Sequence, residues 1–267
     1  MSTPSLASSQ VAAVLPDRAE DRATAERVLA GPLVWRGDLV GVHGPRAGSG
    51  RADGEFWQAD GWFLKSRSIR VYDDLPRATA ALERLFAVKC ALGELAPSRS
   101  ILVVTVDAAG AFQLWTLAPL LVTLREQLDA ASEAAGWDAF GRALAGFGLA
   151  LGEALTASLD GGLCLDASPA NFAPQGGRVR YIDDDVTDRR DALGIEDAFV
   201  SRFTEYPAAP PSLWDGYTRR FARELATRTS PAQRAALKLA ERLRAAAILR
   251  RGSGPHVDVV LAALEAV

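Results

Sequence analysis

The sequence has little cysteine and no long apolar segment, and each shortage excludes a class of protein. Two cysteines in 267 residues cannot form a disulfide framework, so we expect a reducing compartment and a cytoplasmic location. No apolar run is long enough to cross a bilayer, so we expect no membrane partner. The formal net charge is only −3 and there is no basic run, which argues against nucleic acid as a partner. The two cysteines and two histidines also lack the spacing of a zinc site.

Lysine is also scarce, because only Lys65, Lys89 and Lys238 are lysines among the 30 Lys and Arg residues. In a chain with this bias, each remaining lysine is a candidate for a position that needs a compact ammonium group. The hydrophobic fraction of 49% and the charged fraction of 24% are those of an ordinary globular protein with a real core.

The pattern of elements predicts a tail followed by two regions of different character. Residues 1–18 are rich in Ser, Ala, Thr and Pro and are predicted to form a flexible N-terminal tail. Residues 19–117 are predicted to form an antiparallel sheet with one packed helix, and residues 118–267 a mainly helical region. We place the boundary between these two regions at 117–119, where the strand pattern ends.

In the first region, short strand-like runs are separated by Gly and Asp, as in an antiparallel meander. The predicted strands are residues 39–42, 55–59, 62–65, 101–106 and 111–116. A short helix is predicted over residues 21–29, with Asp17 or Asp21 as its N-cap. A longer helix is predicted from Pro76 to about Leu95.

The second region is rich in Ala and Leu at helical spacing. Its predicted helices are residues 120–134, 137–159, 195–204, 212–227, 231–248 and 255–266. One hairpin interrupts them at residues 172–183, with Gly176 and Gly177 at its turn.

The stretch around this hairpin carries the strongest chemical signal. Asp166 lies five positions before Asn171, and Asp183 follows twelve positions later, after the apolar pair Tyr181-Ile182. Phosphoryl transfer from ATP needs one carboxylate to orient the hydroxyl nucleophile, and an amide oxygen with a second carboxylate to hold Mg²⁺. The alternatives are an ordinary turn at residues 166–171 and a solvated acidic turn after Asp183.

The segments Leu165-Asp166-Ala-Ser-Pro-Ala-Asn171-Phe and Tyr181-Ile182-Asp183 resemble the catalytic loop and metal-binding strand of the protein-kinase-like superfamily. The likeness is closer to the small-molecule branch, the aminoglycoside and choline phosphotransferases, than to protein kinases. It implies a two-lobed kinase-like α+β fold and an ATP- and Mg²⁺-dependent phosphotransferase acting on a small-molecule hydroxyl. In it, Asp166 would be the catalytic base, and Asn171 and Asp183 the metal ligands.

The same resemblance assigns roles in the first region. Lys65 would be the strand lysine that contacts the phosphates, and Glu83 on the following helix its ion-pair partner, with Glu94 as the alternative. Gly48 and Gly50 belong to a glycine-rich loop that would cover the phosphates through backbone amides.

Some features depart from the family pattern. Cys164 stands where the catalytic loop of the family has a structural His, and no activation segment follows Asp185. The second hypothesis is therefore a pseudokinase that binds a nucleotide or a partner without turnover, and the third is a protein kinase. The sequence distinguishes neither phosphoryl from nucleotidyl transfer nor ATP from GTP.

The acceptor is indicated only by charge. Five acidic residues follow one another closely after the hairpin and favour a cationic acceptor such as an amino sugar or a choline-like amine: Asp183, Asp184, Asp185, Asp188 and Asp191. Mg²⁺, Arg189 and Arg190 would use much of that charge. The sequence carries no indication of oligomeric state.

Overall fold

The computed structural model describes residues 10–38, 54–184, 186–187, 202, 205–249 and 254–265. The chain divides into two compact units, Met1–Leu121 and Val122–Val267. The first unit is built on an antiparallel sheet and the second is mainly helical, so the α+β class predicted from the sequence is confirmed.

The first unit contains six strands and two α-helices among its described residues. In chain order they are β1 (Gln10–Leu15), α1 (Ala19–Ala30), β2 (Val34–Asp38), β3 (Gly54–Ala59), β4 (Trp62–Tyr72), α2 (Leu75–Ala91), β5 (Ile101–Val106) and β6 (Phe112–Pro119). The strands form one sheet in the order β1-β5-β6-β4-β3-β2, and every neighbouring pair is antiparallel.

The predicted tail is wrong over its second half, because β1 is an edge strand of this sheet. β1 pairs with β5, with Gln10 opposite Val106 and Leu15 opposite Leu102. The side chains of the short apolar run Val11–Leu15 pack onto the core. The tail was predicted from the high Ser, Ala, Thr and Pro content of residues 1–18, and that content does not show a strand this short. Residues 1–9 lie outside the described part of the chain.

Alternation along β5 explains why the sheet is covered on both faces. Ile101 and Val103 pack with α1, whereas Leu102 and Val104 pack with α2, and all four side chains are buried. Successive side chains of a strand point to opposite faces, so a wholly apolar strand needs cover on each side. The prediction of a sheet with one packed helix is therefore corrected to two helices, one on each face.

The ends of these helices differ from the predictions in physically clear ways. The N-cap of α1 is Arg18, without a side-chain cap, and not Asp17 or Asp21. Asp21 is instead buried and accepts two hydrogen bonds from the Arg99 guanidinium, at 3.1 and 2.9 Å. α2 ends at Ala91, short of the predicted Leu95, and a 3₁₀ turn (Gly93–Leu95) follows in which Gly93 has a φ of +53°.

Two predicted features of the first unit fall on residues 39–53, outside the described part of the chain. They are the strand at 39–42 and the glycine-rich loop with Gly48 and Gly50. The strand that the structure does show here, β2, lies just before them and pairs with β3. β6 continues to Pro119, through the residues where the sequence placed the boundary between the two regions, and the compact units divide after Leu121.

Among its described residues, the second unit consists of helices, a short 3₁₀ turn and two pairs of short strands. Its elements are α3 (Leu124–Glu133), α4 (Trp137–Gly161), β7 (Cys164–Leu165), β8 (Phe172–Gln175), β9 (Arg178–Tyr181), β10 (Val186–Thr187), α5 (Pro211–Arg228), α6 (Pro231–Leu237), α7 (Leu239–Leu249) and α8 (Gly254–Glu265). The predicted helix at 195–204 lies outside the described residues, except for residue 202. Among the described helices of the chain, none is long and apolar enough to cross a membrane.

The packing of α4 against α5 forms the centre of this unit. Phe147 of α4 and Tyr217 of α5 are fully buried, and their rings stack with centroids 6.0 Å apart. Glycines at 148 and 152 on α4 allow close approach, because a Cβ at Gly148 would lie 2.6 Å from the Tyr217 carbonyl oxygen. The small residues of α4 therefore set the distance between the two helices.

The single helix predicted over residues 231–248 is two helices in the structure. The chain breaks at Lys238, whose φ is +48°, between α6 and α7. In a straight helix, positions six apart, such as Leu237 and Leu243, would point about 120° away from each other. The break is compatible with the burial of both leucines, which binary patterning alone did not reveal.

Candidate active site

The loop from Asp166 to Asn171 is a tight, hydrogen-bonded turn. The Asp166 Oδ1 accepts a hydrogen bond from the Ser168 backbone N–H at 3.2 Å. The Ser168 Oγ accepts from the Ala170 N–H at 3.4 Å, and the Asn171 N–H donates to the Ser168 carbonyl at 2.9 Å. The Asp, Ser, Pro and Asn residues of this segment therefore form a turn, as their residue types favour. The turn also brings Asn171 close to Asp166.

Asn171 and Asp183 are brought together by the β8–β9 hairpin. Its register pairs Phe172 with Tyr181, and the ladder continues by one bond, from the Ile182 N–H to the Asn171 carbonyl at 2.8 Å. Asn171 thus lies opposite Ile182, directly before Asp183. The predicted turn at Gly176-Gly177 is confirmed, with φ values of +60° and +78° that glycine adopts without strain.

A second pairing ties the other ends of the same segments together. β7 pairs with β10 in antiparallel fashion, with Leu165 opposite Val186. Asp166 directly follows Leu165, and Asp183 lies three positions before Val186. The backbone of the second unit therefore holds Asp166, Asn171 and Asp183 in one region.

The side chains of this trio are oriented by further hydrogen bonds. The Asn171 Nδ2 donates to the Asp166 carbonyl oxygen at 3.4 Å, which directs the amide nitrogen into the loop. The Asp183 Oδ1 accepts from the Asp184 backbone N–H at 2.8 Å. The Asn171 amide oxygen and the Asp183 carboxylate are hard oxygen donors, the kind that suits Mg²⁺.

The acidic run that begins at Asp183 is only partly a surface feature. The side chain of Asp184 is buried, whereas Asp166 and Asp183 are half-buried. Within the described residues, no group of three or more His, Cys, Asp or Glu side chains is arranged to hold a metal. The metal-ligand set predicted from the sequence is smaller than such a group, since it consists of one amide and one carboxylate. Asp185, Asp188, Arg189, Arg190 and Asp191 lie outside the described residues.

Lys65 is a buried lysine on the central strand β4 of the first unit. It lies opposite Phe56 of β3 and Thr116 of β6, and Thr116 in turn lies opposite Leu102 of β5. Directly paired residues share a face of the sheet, so Lys65 lies on the face that α2 covers. Its side chain is 3% exposed, and its Nζ lies 5.7 Å from the centroid of the Phe56 ring, within cation–π range.

Glu83 does not lie on the face of α2 that is turned to the sheet. Its side chain is exposed, whereas that of Lys65 is buried. The face of α2 turned to the sheet contains Ala78, Leu82 and Lys89 instead, at helical spacing. Glu83 follows Leu82 directly and is therefore rotated by about 100° from that face. Glu94, the alternative partner, is exposed in the 3₁₀ turn after α2.

Tyr181 contributes to the site in a way that the sequence analysis missed. Its side chain is fully buried, and its hydroxyl accepts a hydrogen bond from the Asp166 backbone N–H at 3.2 Å. In the sequence, Tyr181 served only as an apolar residue leading to Asp183. The pattern of apolar residues shows that the Tyr181 ring is buried, but it does not show which group the Tyr181 hydroxyl contacts.

A polar network elsewhere in the second unit was also missed. The Arg125 guanidinium donates to Asp129 at 2.9 Å and to Glu205 at 2.7 Å, and the Tyr206 hydroxyl donates to Asp129 at 2.5 Å. Burial and this hydrogen bond raise the pKa of Tyr206 well above its ordinary value. The network joins α3 to residues about eighty positions later, and local spacing could not have revealed such a contact.

Comparison with known proteins adds little to this geometry. No protein-family model matches the sequence, and no curated protein matches it. A crystal structure of a choline/ethanolamine kinase family protein from Mesorhizobium loti can be aligned over 93% of this chain and 99% of its own. The sequence identity is 15% and the TM-score is 0.34. A likeness this low supports no inference about function.

Proposed function

We propose that this protein is an ATP- and Mg²⁺-dependent phosphotransferase that acts on a hydroxyl group of a small molecule. The observation that carries the proposal is the arrangement of Asp166, Asn171 and Asp183. Two strand pairings and the bond between Ile182 and Asn171 bring these residues to one region, which therefore contains one amide and two carboxylates. The alternatives, an ordinary turn and a solvated acidic turn, explain the residue types at these positions. They do not explain why the three residues lie close together.

Each residue of the trio has a distinct part in the proposed reaction. Mg²⁺, when bound, would neutralise charge on the phosphates. Asn171 and Asp183 would hold it through their Oδ1 and Oδ2 atoms. Asp166 would accept a hydrogen bond from the acceptor hydroxyl and take up its proton, while the acceptor oxygen bonds to the γ-phosphorus and the bond from that phosphorus to the departing ADP breaks. Positioning and charge neutralisation supply the rate in this chemistry, and no covalent enzyme intermediate is needed.

Lys65 is proposed as the phosphate contact of the first unit. Burying an ammonium group costs several kcal/mol unless it interacts with another group, so a lysine that is 3% exposed on a central strand is unusual. Its place on the central strand β4 and the resemblance found in the sequence support a contact between this ammonium group and a nucleotide phosphate. The cation–π contact with Phe56 fixes the direction of the Lys65 side chain.

The acceptor is proposed to be cationic. Asp183, Asp184 and Asp185 follow one another in the sequence, and this acidic run favours a cationic acceptor although Mg²⁺, Arg189 and Arg190 would use much of its charge. An amino sugar or a choline-like amine with a free hydroxyl matches that charge.

A nucleotide-binding module without turnover is the second candidate, and the position of Glu83 favours it. A protein that no longer performs phosphoryl transfer does not need an acidic partner to orient Lys65. Glu83 is exposed and lies off the face of α2 that is turned to the sheet. The two candidates share the nucleotide site and differ in turnover.

The test of the nucleotide site is a thermal-shift titration with ATP, with and without Mg²⁺. A ligand that binds only the folded protein raises the melting temperature by mass action. We expect a Mg²⁺-dependent rise for the wild type that Asp183→Asn abolishes and that Asp258→Asn, an exposed change on α8, retains. No shift at millimolar ATP, or an equal shift in Asp183→Asn, would contradict the proposal.

A further inference from the structure

Tyr181 links the two segments that carry the proposed catalytic residues. It lies two positions before Asp183, so its main chain belongs to the strand that positions the metal ligand. Its hydroxyl accepts the backbone N–H of Asp166, the first residue of the loop that carries the base. A single side chain therefore connects the Asp183 strand to the start of the Asp166 loop.

The position of this hydroxyl is fixed by the core. The Tyr181 ring packs at 62° to Phe172, with centroids 5.3 Å apart, and Phe172 packs on Phe147 of α4 at 6.0 Å. All three side chains are fully buried. Close packing leaves the ring few alternative rotamers, so the hydroxyl is a rigid hydrogen-bond acceptor.

The two ends of the loop are held by different contacts. At the end, Asn171 is held by the hairpin ladder through Ile182. At the start, β7 is only two residues long, and Cys164 stands where a structural His would stand in the kinase-like pattern. The bond to Tyr181 fixes the Asp166 backbone directly.

We propose that Tyr181 is a positioning residue that holds Asp166 in its productive place relative to Asp183. The inference rests on the proposed phosphotransferase function and deepens it. Tyr181 does not contact the substrate in this account. It acts through Asp166, so its effect belongs to turnover and not to nucleotide affinity.

The variant that tests this inference is Tyr181→Phe, which removes the hydroxyl and keeps the ring. We expect ATP turnover to fall by about tenfold or more, since one hydrogen bond of about 1.4 kcal/mol corresponds to a factor of ten. The dissociation constant for Mg²⁺-ATP is expected to stay within about twofold. Tyr217→Phe is the matched control, because it removes a buried hydroxyl from the same aromatic cluster without a hydrogen bond to the Asp166 N–H. It is expected to retain wild-type turnover.

A double variant separates positioning from a general loss of structure. If Tyr181 acts through Asp166, then Asp166→Ala and Asp166→Ala/Tyr181→Phe have the same residual turnover. A further drop in the double variant, similar to that of Tyr181→Phe alone, would overturn the inference. Full turnover in Tyr181→Phe would do so as well.

Amide hydrogen exchange measures the contact without any substrate. We expect the Asp166 amide to exchange faster in Tyr181→Phe, while the Ile182 amide, bonded to Asn171, retains its protection. Unchanged exchange at Asp166 would contradict the inference.

These outcomes also separate this inference from the proposed function. If the wild type turns over ATP and Tyr181→Phe is equally active, the result contradicts the positioning role of Tyr181 and leaves the proposed function intact. If the wild type neither binds Mg²⁺-ATP nor turns it over, the proposed function and the role of Tyr181 fall together.

Discussion

At the scale of single residues, the hydroxyl of Tyr206 shows how a buried phenol responds to its surroundings. It is held by Asp129 and lies beside the Arg125 guanidinium, 5.8 Å from the Tyr206 ring centroid. The raised pKa means that the folded protein keeps the phenol protonated where the unfolded chain would lose the proton. The stabilising effect of Tyr206 is therefore complete below about pH 10 and is lost as pH rises above that value.

The prediction is that Tyr206→Phe lowers the melting temperature at neutral pH and that the difference from wild type narrows above about pH 10. At neutral pH the lost hydrogen bond to a carboxylate should reduce the free energy of unfolding by about 1.5–3 kcal/mol. Thermal melts between pH 7 and 11 measure both effects. A difference that stays constant up to pH 11 would show that the phenol does not titrate in the way its surroundings indicate.

Asp166 carries the most specific functional prediction at the residue scale. Asp166→Ala removes the group proposed to orient the acceptor hydroxyl. General-base groups contribute typically about 10²–10⁴-fold, so we expect turnover to fall by about 10²-fold or more. Nucleotide binding should persist, because Asn171 and Asp183 retain the metal-binding atoms. Isothermal titration with Mg²⁺-ATP and an assay of ADP release measure the two properties separately. Loss of both together would place Asp166 in folding or in metal binding.

At the scale of elements, the contact between α4 and α5 depends on glycine. Gly148→Ala would place a Cβ 2.6 Å from the Tyr217 carbonyl oxygen, a backbone atom that cannot turn aside. We expect the free energy of unfolding to fall by about 1–3 kcal/mol. Chemical denaturation with urea measures the change.

The matched control for this change lies one half-turn away on the same helix. Gly146→Ala would meet Leu124 and Val179 side chains at 3.7 Å, an ordinary van der Waals distance. Since alanine is the better helix former, this variant is expected to be up to about 1 kcal/mol more stable than wild type. Equal effects of the two substitutions would show that helix propensity, and not close approach, decides the cost.

The start of α2 offers a second prediction at this scale. The Asp74 side chain accepts the Arg77 backbone N–H at 2.8 Å and caps the helix that covers the Lys65 face of the sheet. Asp74→Ala should lower the free energy of unfolding by about 1 kcal/mol. The neighbouring Asp73 is exposed and not in the cap position, so Asp73→Ala should change stability by less than about 0.5 kcal/mol. A similar loss in both variants would point to net charge as the cause.

The sequence predicted helices and strands correctly where residues close together in the chain determine the local structure. Alternating apolar residues and a Gly-Gly turn identified the hairpin of β8 and β9, and helical spacing identified α4 and α5. The patterns failed where long-range contacts decide. Residues 10–15 form a strand because they pair with the edge of β5. The helix predicted after Pro231 is interrupted at Lys238, and lysine has no special preference for turns.

At the scale of the whole molecule, the sequence predicted which residue types make up the candidate site. It did not predict the contacts that hold those residues in place. The spacing of Asp166, Asn171 and Asp183 indicated which side chains to examine, and the strand pairings then brought them together. Spacing along α2 could have shown that Glu83 lies off the face that carries Leu82 and Lys89, since those two are seven positions apart and share that face. The hydroxyl of Tyr181 and its contact with Asp166 had no sequence signal.

The measurement that tests the central claim most directly is phosphate transfer from γ-labelled ATP to a panel of hydroxyl-bearing amines. It should use the wild type and Asp166→Ala, with Mg²⁺ and with EDTA. The account predicts that the wild type transfers label to at least one amine in the presence of Mg²⁺, and that Asp166→Ala binds ATP and transfers at least about 10²-fold more slowly. Mg²⁺-ATP binding with no transfer to any acceptor and no release of ADP would contradict it, and would favour a nucleotide-binding module without turnover.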